Sequence, residues 1–118
     1  MPRPIHFEFS AENPDRAAKF YGDVFGWSFQ KWEGPMPYWL IKTGEGAPGI
    51  DGGMMPRPAD IQGTVNTVGV PSIEETLGKI EAGGGKVVMP PQEIPGVGRF
   101  AYCADTEGNV FGVIQPAQ

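Results

Sequence analysis

The chain has 118 residues, 40% of them apolar, one cysteine and a net charge of −5. That length is one domain, residues 1–118, able to bury a core without covalent staples. The acidic balance disfavours nucleic acid, which asks for a basic surface, and a lone cysteine excludes an intrachain disulfide and fits a reducing compartment.

Residues 5–10 alternate, with Ile5, Phe7 and Phe9 on one face and His6, Glu8 and Ser10 on the other, which predicts a half-buried strand. Asn13 then reads as a helix N-cap, with Pro14 at the first helical position, where its missing N–H costs nothing. Ala17, Ala18, Tyr21, Val24 and Phe25 form an apolar stripe at helical spacing, and Gly26 ends it. Residues 27–32 and 38–43 predict two strands joined by a turn-rich loop. After a second loop over 44–49, residues 50–55 predict a fourth short strand, weakened by Gly52 and Gly53. Residues 56–63 begin with two prolines and lack periodicity, so they are assigned as a linker.

The second half opens with a strand over 64–70. Ser72 and Glu75 form a capping box before a stripe of Ile73, Leu77 and Ile80, and Gly83, Gly84 and Gly85 end that helix. Residues 86–89 predict a strand. Residues 90–98 carry three prolines and predict a loop that can act as a lid. Residues 99–104 and 110–115 are strands about the turn Asp105 to Asn109. No run of 18 apolar residues exists, so no membrane span is predicted. The first residues lack an apolar signal segment, which makes the cytoplasm the expected location.

The order is βαβββ over 4–55, a linker, then βαβββ over 64–115. One offset of 59 residues lays His6 on Val65, Glu8 on Thr67, Gly53 on Gly112, and Pro14, Ala18 and Tyr21 on Ile73, Leu77 and Ile80. Residues seldom match but the apolar positions and breaks do, as in a repeated structural unit.

Four stretches carry a resemblance over residues 4–115. They are His6 and Ala11 with Asn13, Arg16-Ala17, Phe20-Tyr21 and Phe25-Gly26-Trp27; Ile50-Asp51-Gly52-Gly53; Val70 to Glu74 running through to the three glycines; and Asp105-Thr106-Glu107-Gly108-Asn109. In these the chain resembles the glyoxalase / bleomycin-resistance / extradiol-dioxygenase family, the vicinal oxygen chelate superfamily. The resemblance implies an α+β fold in which two βαβββ repeats form a curved, partly open mixed barrel around a cavity. It also implies a homodimer, and in metal-dependent members a ligand on the first and last strand of each repeat.

Carried onto this chain, the four ligand positions are His6, Gly53, Val65 and Gly112, so His6 is the only matching ligand and no intact metal site is expected. A catalytic divalent ion takes three protein ligands as a rule. Glu8 shares the His6 strand face and can add a donor, and Asp51 is the next candidate. Cys103 faces away from the cavity if Tyr102 faces in. No cofactor is therefore expected, with a divalent Zn, Ni, Mn or Fe ion as the alternative.

The missing side chains at Gly53 and Gly112 are expected to leave space. With His6, Glu8, Thr67 and Tyr102 around it, that space has the character of a small-molecule pocket. Glu8 and His6 are the candidates for acid–base chemistry. Trp32, Tyr38 and Trp39 can stack on a ligand, although aromatic residues on strands are more often core or interface. Nucleophile elbows, phosphate-binding loops and HExxH or CxxC motifs are absent.

The expected function is binding of a small molecule without the family metal, as in bleomycin-resistance proteins, with no nucleic-acid or membrane partner. The alternative is a glyoxalase-like metal-dependent lyase or isomerase, or a dioxygenase, acting on a substrate with adjacent oxygens. A third reading is a surface module that works through partner contacts. The residues leave open whether any reaction is catalysed.

Overall fold

A computed structural model describes residues 2–34, 36–46, 48–57 and 63–117. The elements are β1 (Arg3–Ala11), α1 (Pro14–Phe25), β2 (Ser28–Lys31), β3 (Trp39–Lys42), β4 (Gly52–Pro56), β5 (Thr64–Gly69), α2 (Ile73–Ala82), β6 (Lys86–Ile94), β7 (Gly98–Ala104) and β8 (Val110–Pro116). They fall into two compact units. The first lies within His6–Thr64. The second lies within Val65–Gln118 and takes in the start of the chain up to Ile5. Most of the predicted linker, residues 58–62, lies outside the described residues. Among the described residues no helix is long and apolar enough to cross a membrane.

The first unit has strand order β2-β3-β4-β1, the second β5-β8-β7-β6. In each, the first strand pairs parallel with the last: Glu8 lies beside Gly53 in one, Thr67 beside Gly112 in the other. These pairs are related by the 59-residue offset. The helices obey it too. Asn13 Oδ1 accepts the Arg16 amide at 3.1 Å, and Ser72 Oγ accepts the Glu75 amide at 3.3 Å. Each cap answers one of the donors that a helix start leaves unpaired. α1 ends on Gly26 with φ 76°, a left-handed turn that glycine adopts without a Cβ penalty.

Each helix packs on one face of its sheet. In the first unit Ala11, Ile41 and Met54 are buried, with Phe7, Phe9, Ala17 and Ala18 among the side chains closing around them. In the second, Val70, Ile73, Ala101, Cys103 and Val113 form the buried cluster, joined by Leu77 and Ile80. Cys103 therefore belongs to the helix-side core, where burial pushes its thiol pKa up, with a smaller push from Glu81.

Three local expectations need correction. Val24 and Phe25, read as part of the α1 core stripe, are 54% and 60% exposed. Tyr21 and Trp27 stack 5.2 Å apart and nearly parallel, and the Phe25 ring lies against both, at 6.2 and 5.3 Å, while staying largely open to solvent. The lid over 90–98 is not a loop. β6 continues through Pro90 and Pro91 to Ile94, and only a tight turn separates it from β7. β6 is an edge strand with register shifts between Val87 and Gln92, the setting in which a strand tolerates proline. Asp51 does not reach inward: it is exposed, and Oδ1 accepts the Thr43 amide at 2.9 Å.

Candidate functional site

The face of β1 opposite α1 carries His6 and Glu8, and Glu8 is 6% exposed. Tyr38, just ahead of β3, joins them. Its hydroxyl donates to Glu8 Oε2 at 3.0 Å and lies 3.2 Å from His6 Nε2. The phenol has one proton, which goes to Glu8, so His6 Nε2–H donates to the phenol oxygen. That bond selects the Nε2–H tautomer and leaves Nδ1 as the acceptor nitrogen. The His6 pKa lies below its ordinary value because burial opposes the charged form, with Glu8 and then Asp51 pulling it back up. The imidazole is therefore neutral at pH 7.

Gly53 lies beside Glu8 on β4 and opposite Leu40 on β3. It does not open a void. The space into which a side chain at 53 would start is taken by the Tyr38 hydroxyl and ring. The second unit repeats the device. Gly112 lies beside Thr67 and opposite Tyr102. A Cβ at 112 would stand 2.8 Å from Cζ of Phe100 and 3.0 Å from Oγ1 of Thr67. Phe100 meets Tyr102 edge to face at 4.7 Å, and Thr67 and Tyr102 are both buried. Tyr38 and Phe100 each precede by two residues the partner of their glycine, so a ring reaches diagonally across to cover it. The expectation that the glycines supply pocket volume is thus overturned: each is sealed by a ring, a phenol in one unit and a phenyl in the other.

The structure gathers the predicted residues into two groups. His6, Glu8 and Gly53 meet in the first unit, and Thr67, Tyr102 and Gly112 in the second. Tyr38 and Phe100 are the members that sequence reasoning missed. In the sequence Tyr38 reads as a ring that can stack on a ligand or, more often, as a core or interface aromatic, and nothing singles out Phe100. The signal that finds them is position, two residues ahead of the glycine's cross-strand partner.

The four implied ligand positions do not suit a metal. Val65 offers an alkyl group, and Gly53 and Gly112 offer no donor and are covered by rings. Among the described residues no cluster of three or more His, Cys, Asp or Glu side chains is arranged to hold an ion. The His6–Tyr38–Glu8 group is instead a hydrogen-bond chain whose remaining acceptor nitrogen is Nδ1 of His6.

Comparison with known proteins gives three results. The profile of the Glyoxalase/Bleomycin resistance protein/Dioxygenase superfamily matches residues 3–113. A Mycobacterium tuberculosis protein with the provisional name glyoxylase CFP32 is 33% identical over 113 residues, and a glyoxylase-like domain-containing protein of Didymella fabae is 33% identical over 113 residues. The first match covers 93% of this chain but 42% of the mycobacterial protein, so the chain spans less than half of that relative. The second covers 90% of this chain and 88% of the fungal protein. Among solved structures, a Bacillus halodurans protein of unassigned function superposes with TM-score 0.75 at 12% identity, covering 99% of this chain and 96% of its own. Methylmalonyl-CoA epimerase from Mycobacterium tuberculosis superposes with TM-score 0.71 at 14% identity, covering 98% and 88%. At such identities the likeness is one of fold.

Proposed function

Since the chain belongs to the Glyoxalase/Bleomycin resistance protein/Dioxygenase superfamily, we propose that it binds a small organic molecule through His6, Tyr38 and Glu8, without a metal ion. The observation that supports this most directly is the Tyr38 hydroxyl, which occupies the space over Gly53 and bridges His6 to Glu8. A group of acceptors on a buried strand face suits a ligand that presents hydroxyl or amine donors. Proton transfer is the second reading. A ligand proton taken by His6 Nδ1 would leave an imidazolium whose charge is balanced by Glu8 through the phenol. The buried, single thiol of Cys103 suits a protein of the reducing cytoplasm.

The test is thermal melting with a panel of small phenols, diols and amines, in chelator and in added zinc. A ligand that binds only the folded state raises the melting temperature, by about 2.7 kcal/mol of stability at a hundredfold excess over Kd. His6→Gln and Tyr38→Phe are expected to abolish that rise, and chelator to change nothing. A fall of several degrees on chelation overturns the metal-free reading. Ligand binding that survives both substitutions overturns the site.

A further inference from the structure

At the end of the first unit where β1 turns into α1 and β4 finishes, an open cleft of about 500 Å3 is lined by none of His6, Tyr38 or Glu8. Its polar lining is Ser10, Glu12, Asn13, Arg16 and Arg57, and its apolar wall includes Phe20 and Tyr21. We propose that this cleft is a second binding site, for a small amphiphilic monoanion of the aryl carboxylate class.

Charge is the first argument. Two guanidinium groups face the cleft against one carboxylate, Glu12, so one positive charge is left over. Arg16 makes no ion pair among the described residues. Arg57 is anchored through its backbone, whose N–H donates to the Ala11 carbonyl at 3.0 Å. Its side-chain contacts are long, with Nε at 3.4 Å from Ser10 Oγ and Nη2 at 3.5 Å from the Ser10 carbonyl. The fork is thus placed, with its donors only weakly engaged, and a planar carboxylate matches that fork.

Ser10 supplies the second, independent argument. It is 8% exposed and lines the cleft. Its Oγ accepts from Arg57, and the hydroxyl proton has no acceptor among the described residues. A buried hydroxyl in the lining of a cleft with two guanidinium groups still has a proton to donate, which suits an acceptor on the ligand. Phe20 is 56% exposed. With Tyr21 at 5.1 Å, edge to face, it offers a wall on which a flat apolar body can lie, which favours an aryl anion over inorganic phosphate.

The test is a fluorescence titration of the full chain with 2-naphthoate, and with the neutral 2-naphthalenemethanol as its uncharged counterpart. Naphthoate is expected to bind at least tenfold tighter than the alcohol and to weaken as salt rises from 0.05 to 0.5 M. Arg16→Gln and Arg57→Gln are each expected to weaken it about tenfold, as loss of a charge-assisted bond does. His6→Gln and the surface control Lys42→Gln are expected to leave it unchanged, which separates this site from the His6–Tyr38–Glu8 group. Equal affinity for the alcohol, insensitivity to salt, survival of binding in both arginine variants, loss of binding in His6→Gln, or no binding of naphthoate at millimolar concentration each overturns the proposal. The salt series uses the unaltered protein, so the outcome does not depend on any variant folding.

Discussion

Tyr38 does two things that substitution separates: its ring covers Gly53 and its hydroxyl joins His6 to Glu8. Tyr38→Phe keeps the cover and deletes the bridge, so buried Glu8 loses a donor. The expected loss is about 1–3 kcal/mol in urea unfolding. Gly53→Ala should cost about 1–3 kcal/mol in the parent, because the new methyl overlaps the phenol, and much less beside Tyr38→Ala. Additive costs in that double-mutant cycle would show that ring and glycine are not coupled. His6 gives a pH signature. Its folded pKa lies below the ordinary 6.5, through burial first. Below about pH 6.5 the unfolded chain therefore binds more protons at this position. The His6 contribution is level above that pH and falls as pH drops from 6.5 toward the lower folded value. Against His6→Gln, the parent should lose relative stability between pH 7 and 5. Parallel curves would contradict the shift.

At the scale of single elements, the caps are the clearest devices. Asn13→Ala and Ser72→Ala are each expected to cost about 1 kcal/mol, and Asn13→Ser to cost little. Equal melting of parent and alanine variants would deny both caps their role. These helix starts were legible because a cap is a local rule: Asn13-Pro14 and Ser72 state it within a few residues. β6 was not legible for the opposite reason. Pro90 and Pro91 read as breakers unless the strand is known to lie at an edge, and that is a property of the sheet order. Val24 and Phe25 likewise keep helical spacing but stay largely exposed.

For the whole chain, the repeat was readable because caps, first strands and last strands all keep the 59-residue offset, and the parallel registers of Glu8 with Gly53 and Thr67 with Gly112 show it. The ring covers were hidden because the third strands break it. Leu40 pairs with Gly53 and Tyr102 with Gly112, a spacing of 62, so Tyr38 and Phe100 do not line up in sequence. We propose that two chains associate, as the family resemblance implies. Sedimentation at micromolar concentration should give twice the 12.7 kDa chain mass, and a monomer there would refute it.

The glycine–ring pairs also constrain the order in which substitutions could be accepted. A carboxylate at position 53 or 112 meets a ring already in place, and removing the ring first leaves an unfilled hollow. Either order passes through a less stable protein, and assembling three ligands takes changes at several such positions. Acquiring an ion site one substitution at a time is thereby opposed at both glycines.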